Sequence, residues 1–232
     1  MQLPYFFEPE IIEPSKTFTL SEETAKHCVQ VLRMKKGEQL LLTNGKGLSA
    51  TATIMPTGKK KSEVIIENFE KFPAPERKIS IGASLLKNTG RFEWFLEKAT
   101  EIGISEIIPL ICVNTERTHF RHDRMQNILI SAMLQSRQVW LPVLHEPAAF
   151  QDVVRNTTAA QKLIAHCYNS AKTPLSRLLL QNDILLLTGP EGDFSLNEIN
   201  RAMENSFAPV SLGNTRLRSE TANIVAVVML NN

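Results

Sequence analysis

Two rhythms of apolar and polar positions divide this chain. Up to about residue 72 the apolar runs are short. The stretch "EQLLLTNGKGLSATATIMPTGKKKSEVIIENFE" holds three apolar or alternating runs, split by Asn44-Gly45 and by Pro56-Thr57-Gly58. Alternation at period two predicts half-buried strands, and Asn-Gly between two such runs predicts a hairpin. A compact β-meander or small barrel is expected there. "SEETAKHCVQVLR" predicts a short helix capped by Ser21. "EKFPAPERK", with two prolines and mixed charge, reads as a linker.

From Ile79 onward strands alternate with helices. "KISIGASLL", "ISEIIPLIC", "QKLIAHCY", "DILLLT" and "APVSLG" predict strands. In "RFEWFLEKATEIG" the residues Phe92, Phe95, Leu96, Ala99 and Ile102 fall at helical spacing, and Gly103 marks the stop. "DRMQNILISAMLQSRQ" places Met125, Ile128, Leu129, Ala132 and Met133 on one helical face. Ile130 and Leu134 widen that stripe, which suggests a second packing partner. Alternation of this kind predicts an α/β fold: a mostly parallel sheet with helices on both faces. The chain thus divides into residues 1–72 and 73–232.

Composition narrows the class. At 232 residues, with 43% hydrophobic and 22% charged, the chain has enough apolar material for a full core. A net charge of +2 excludes a strongly polycationic protein but leaves room for a local basic patch facing nucleic acid. Cys28, Cys112 and Cys167 are widely spaced, which speaks against a disulfide framework or a cysteine zinc site. His119, His122 and Asp123 have metal-like spacing without further clustered ligands, so no metal is expected. The start "MQLPYFFEPE" lacks a signal peptide's basic end and apolar core, and no apolar run approaches a membrane span. A soluble, cytoplasmic protein is expected.

The chemistry concentrates in two glycine-bearing loops. In "LLLTGPEGDFSLNEI" an apolar run ends at Thr188, and Ser195 with Glu198 forms a capping box for the helix that follows. In an open α/β sheet, ligands sit at the carboxyl ends of strands, where this loop falls. It is neither a P-loop nor a dinucleotide fingerprint, and "NGKGLSA" in the first region also lacks the third glycine of the latter. Glu191 and Asp193 disfavour a phosphate and tolerate a neutral or positive ligand. The second loop, in "VSLGNTRLRSETANIVAVVML", carries Arg216, Arg218 and Glu220 before an almost wholly apolar helix. Two such loops at neighbouring strand ends suggest one shared pocket.

"GPEGDFSLNEI" together with "LGNTRLRSETA" resembles the paired C-terminal motifs of the bacterial small-subunit ribosomal RNA uridine-N3 methyltransferases, a family of the SPOUT superfamily. The family pattern runs like G-P-E-G-G-F-[ST]-x-x-E and L-G-x-x-I-L-R-x-E-T-A. "EKATEIGISEIIPL" and "QSRQVWLPVL" resemble two earlier segments of the same family, in the right order. Asp193 stands where the family pattern has its second glycine, and Arg216 where it has an aliphatic residue.

The resemblance implies a C-terminal α/β domain with a trefoil knot, a small N-terminal RNA-binding β-barrel, S-adenosylmethionine as methyl donor, and a homodimer acting on 16S ribosomal RNA of the small subunit. Knots are nearly absent from proteins, so periodicity alone would not have indicated one. By the same resemblance Leu187, Thr188, Gly189, Glu191 and Gly192 form one wall of the cofactor pocket, and Leu212, Gly213, Leu217, Arg218 and Ser219 another. A related enzyme acting on tRNA or large-subunit RNA, or a non-catalytic RNA-binding module, is the alternative. Uridine N3 carries a proton that must leave, so the chemistry asks for a base or for a cation over the flanking carbonyl oxygens. Arg218 is the candidate stabiliser and Glu220 the candidate base. Arg33, Lys35, Lys36, Lys59, Lys60 and Lys61 are candidate phosphate contacts.

Overall fold

A computed structural model of the chain describes residues 3–55 and 62–232. The turn Pro56-Thr57-Gly58 and the candidate RNA contacts Lys59, Lys60 and Lys61 lie outside the described residues. The chain forms two compact units. Met1–Ala74 with Met133–Leu141 make the first; Pro75–Ala132 with Pro142–Asn232 make the second. A division at residue 72/73 gives no place in the first unit to 133–141, a segment remote in sequence.

The first unit holds strands β1 (Tyr5–Phe7), β2 (Thr17–Thr19), β3 (Gln39–Thr43), β4 (Leu48–Ile54) and β5 (Glu63–Lys71) in one sheet of order β1-β3-β4-β5-β2. The run β3-β4-β5 is antiparallel, as alternation and the Asn-Gly turn predict, while β1 joins the edge parallel to β3. Every second residue of β4, from Leu48 through Ala50 and Ala52 to Ile54, is buried, which is period-two patterning realised in the core. Helix α1 (Glu22–Lys26) begins where Ser21 accepts a hydrogen bond from the Thr24 N–H, and continues as a π-turn over His27–Val31.

The segment 133–141 completes this unit. Leu141 N–H donates to Gly45 O (2.8 Å), Gly47 N–H to Val139 O (2.9 Å), and the Tyr5 hydroxyl to Gln138 O (3.0 Å). Arg137 lies 5.5 Å from the Tyr5 ring centroid and donates to Leu3 O. A Cβ on Gly47 would come within 2.3 Å of the Trp140 ring. The glycines of "NGKG" therefore serve a close tryptophan contact and a turn, not a nucleotide.

The second unit is α/β: β6 (Lys78–Ser84), α2 (Thr89–Ile102), β7 (Glu106–Ile111), α3 (His122–Gln135, whose end from Met133 onward belongs to the first unit), β8 (Val143–Leu144), β9 (Ala148–Ala149), α4 (Phe150–Asn156), β10 (Gln161–Ala165), β11 (Thr173–Pro174), β12 (Asp183–Thr188), α5 (Leu196–Glu204), β13 (Ala208–Ser211) and α6 (Ser219–Asn231). The sheet order is β11-β13-β10-β12-β6-β7-β8, with β9 also paired to β7, and all its pairings are parallel. Its central strands carry polar residues chiefly at their ends, and the runs Leu163–Ile164 and Ile184–Leu187 are apolar because both faces are covered. Leu185 and Leu187 pack with Phe150 and Val154 of α4 and Ile199 and Ala202 of α5. The alternate face carries α6, since Thr188 donates its hydroxyl proton to Asn223 Oδ1. Both helix ends predicted from glycine and capping signals are present. Gly103 stops α2 with φ 101°, and Ser195 and Glu198 cap α5 reciprocally. On α3, Met125, Leu129, Ala132 and Met133 are buried, whereas Ile128, Ile130 and Leu134 stay half-buried.

Candidate active site

Strands β13, β10 and β12 lie side by side, so their carboxyl ends bring three loops together. Between them opens a cavity of about 380 Å³, within the range of small-molecule sites. Thr188, Gly189 and Glu191 line it from the loop after β12; Leu212, Gly213, Leu217 and Ser219 line it from the loop after β13. Leu187 is fully buried behind that lining, in the core against α4 and α5. Gly192 packs against Asn114, and Arg218 is an exposed residue at the start of α6; neither lines the cavity.

The geometry gives the acidic residues an additional role. Glu191 Oε1 accepts the Lys87 N–H (3.2 Å). Asp193 Oδ2 accepts the Cys167 N–H (2.8 Å) and Oδ1 the Phe194 N–H (2.9 Å). Asn114 Nδ2 donates to the Asp193 carbonyl (3.0 Å), and a turn closes from Asp193 N–H to Pro190 O (2.9 Å). Both carboxylates thus knit the glycine loop to its neighbours besides lending it charge. Asp193 has φ 63°, a left-handed conformation that aspartate tolerates better than most side chains. A Cβ on Gly189 would sit 3.1 Å from the Phe194 nitrogen, so the loop folds over that residue at near contact.

Sequence reasoning missed the third wall. Ala165, His166 and Cys167, at the end of β10, and Lys172 also line the cavity, with Asp193 and Arg216. His166 is buried at 8% exposure, and neither ring nitrogen has a hydrogen-bond partner among the described residues. Burial, and then the nearby Lys172 charge, hold its pKa below the ordinary histidine value, against the pull of Asp193. Lys172 Nζ donates to His166 O (3.1 Å) and Tyr168 O, so this lysine is tied to backbone carbonyls. The available signal was a histidine closing an apolar strand run in a parallel sheet.

Glu220 is buried in the first turn of α6. Its Oε1 is 3.6 Å from Arg91 Nε on α2, and its Oε2 is buried without a partner among the described residues. It does not line the cavity. In the first unit, Arg33, Lys35 and Lys36 are exposed together after the π-turn, with Arg33 at φ 54°. The structure gathers these three into one basic loop.

A parallel sheet with a ligand pocket at its strand ends, in a chain that also carries a small β unit, defines the class. Residues 73–231 match the family of the RNA methyltransferase domain, and residues 20–67 that of the RNA methyltransferase PUA domain. The particular relatives narrow this, and the chain belongs to the ribosomal RNA small subunit methyltransferase E family. A member from Synechocystis is 30% identical over 234 residues, covering 96% of this chain and 74% of that protein. Among solved structures, a "probable rRNA-methyltransferase" from Porphyromonas gingivalis matches with TM-score 0.89 at 38% identity, over 97% of this chain and 95% of that one. A ribosomal RNA small subunit methyltransferase E from Neisseria gonorrhoeae, bound to S-adenosylmethionine, matches with TM-score 0.87 at 27% identity over 97% and 95%.

Proposed function

We propose that this protein transfers a methyl group from S-adenosylmethionine to N3 of a uridine in 16S ribosomal RNA of the small subunit. The observation that carries the reading is the cavity where the two glycine loops meet at the ends of β12 and β13. Its chemistry fits the cofactor. Gly189 adds no side chain to the lining, Glu191 and Asp193 balance the charges of Lys172 and Arg216 so that the pocket is not built for a phosphate, and the buried His166 ring nitrogens have no polar partner among the described residues. When bound, the cofactor supplies an electrophilic methyl on a positively charged sulfur.

The protein's own part is chiefly orientation, holding nucleophile and methyl in line. Leu212, Gly213, Leu217 and Ser219 grip the cofactor from one side, and Thr188, Gly189 and Glu191 from the other. Arg218, exposed at the start of α6, offers its guanidinium to the uracil carbonyl oxygens as N3 loses its proton. Glu220, two residues further along α6, is the base in this reading: its Oε2 is a buried acceptor with no partner among the described residues, and it takes that proton once the substrate displaces the wall between it and the cavity. The exposed Arg33, Lys35 and Lys36 contact RNA phosphates, with Lys59, Lys60 and Lys61 assigned the same role from sequence.

The same reading includes a barrel-like closure of the first unit and a knot in the second. The knot rests on the family resemblance; α6, which follows β13, packs on β6, β12 and α2. It also includes a homodimer. Trp94 on α2 is 43% exposed and Val228 on α6 40%, leaving apolar surface for a second copy to cover. Among the described residues no helix is long and apolar enough to cross a membrane, and this reading takes the cytoplasm, where ribosomal RNA lies, as the protein's location. Nucleoside analysis of ribosomal RNA from cells lacking the protein tests the whole reading. Loss of one N3-methyluridine from 16S RNA is expected. An unchanged 16S profile refutes it.

A further inference from the structure

His166 follows the last residue of β10, the strand flanked by β12 and β13, so it stands in the middle of the cavity's three walls. It is more than nine-tenths buried, yet Nδ1 and Nε2 both lack partners among the described residues. Buried polar atoms are nearly always satisfied, and these two are closed off even in the empty cavity, so they point to a partner the ring gains when a ligand enters and the wall adjusts. We propose that His166 is a cofactor-recognising residue, hydrogen-bonding S-adenosylmethionine through its ring nitrogens; this rests on the reading that the cavity holds that cofactor.

The imidazole also bears on which form of the cofactor the pocket prefers. Uncharged, it presents one donor and one acceptor, and the ligand selects the tautomer. Protonated, it would repel a sulfonium in the same small cavity but not the uncharged sulfur of S-adenosylhomocysteine. The groups facing it are Lys172, held by the His166 and Tyr168 carbonyls, Asp193, held by backbone N–H groups, and Tyr168, whose ring centroid is 6.4 Å away. Cys167, Glu191 and Arg216 line the remainder. Burial and Lys172 oppose protonation, and Asp193 favours it.

The test pairs calorimetry between pH 5 and 8 with ¹⁵N NMR of the histidine rings, using the full chain and His166→Gln and His166→Phe. Wild-type affinity for S-adenosylmethionine should fall by about tenfold on acidification, with a much smaller fall for S-adenosylhomocysteine. His166→Gln should lose that difference, and His166→Phe should bind both ligands weakly. In the wild-type chain the His166 ring signals should move to a single tautomer on adding S-adenosylmethionine. Binding that leaves those signals unmoved overturns the inference alone, whatever the variants do. Failure of the wild-type chain to bind either ligand overturns the pocket reading and this inference with it.

Discussion

Asp193 offers a quantitative test of how the glycine loop is held, because its effects oppose one another. Its carboxylate accepts two backbone N–H groups, Cys167 and Phe194, at 2.8 and 2.9 Å. Its backbone pays for them at φ 63°. A charged hydrogen bond contributes about 1.5–3 kcal/mol when buried and nearer 1 at a half-exposed position such as this. Left-handed backbone costs a residue with a Cβ about 1–2 kcal/mol, less for aspartate and nothing for glycine. Asp193→Ala loses both bonds and keeps the strain, for a net cost of about 2–3 kcal/mol. Asp193→Gly loses the same bonds but relieves strain, leaving about 1 kcal/mol. Asp193→Asn keeps one acceptor and left-handed tolerance, and should fall nearest to wild type. At about 2–4 °C per kcal/mol the alanine variant should melt roughly 4–12 °C below wild type. Thermal melts read by circular dichroism, paired with calorimetry of S-adenosylmethionine, give the comparison. Cofactor affinity should follow the order Asn, Gly, Ala, because the same loop lines the cavity. An alanine variant as stable as the glycine variant would refute the strain argument. A glycine variant at or above wild-type stability would refute the hydrogen-bond argument.

Other consequences can be checked separately. Burial pushes the thiols of Cys28 and Cys112 up to about 11 and about 12, whereas Cys167 is exposed on the cavity wall; iodoacetamide should label Cys167 first, and S-adenosylmethionine should slow that labelling at least several-fold by mass spectrometry. Burial would raise the Glu106 carboxyl, but hydrogen bonds from Ser80 (2.6 Å), Lys78 (2.9 Å) and His145 (2.5 Å) outweigh it and the net shift is downward. A depressed folded pKa stabilises above the unfolded value of 4.5 and is lost as pH falls through the folded one. Glu106→Gln should therefore cost about 1–3 kcal/mol at neutral pH, and denaturant melts should show that gap closing below pH 4.5. If Arg218 stabilises charge on uracil, Arg218→Ala should lower the single-turnover rate at saturation by about 10²–10³-fold with little change in cofactor affinity, and Arg218→Lys should recover part of it. A normal saturated rate with weakened cofactor binding would instead make Arg218 a brace for the loop.

What the sequence determined by itself was local or periodic. Alternation in "LSATATI" placed Leu48, Ala50, Ala52 and Ile54 inside. Apolar spacing in "RFEWFLEKATEIG" placed Phe92, Phe95, Leu96 and Ala99, and Ser195 with Glu198 marked the start of a helix. These follow from helix and strand geometry acting over a few residues. The pairing of two glycine loops came from family resemblance and strand-end logic, and the cavity indeed lies between them. Tertiary structure alone decided which strand ends stand together. A parallel sheet sets β10 between β12 and β13 although all three are separated in sequence. That adjacency brings His166 into the wall and gives Asp193 the Cys167 amide, 26 residues away. Folding also joined Arg137 to Leu3 across 134 positions and turned Glu220 toward Arg91 on another helix. Such contacts carry no period and no local signal, because the chain closes long loops to make them.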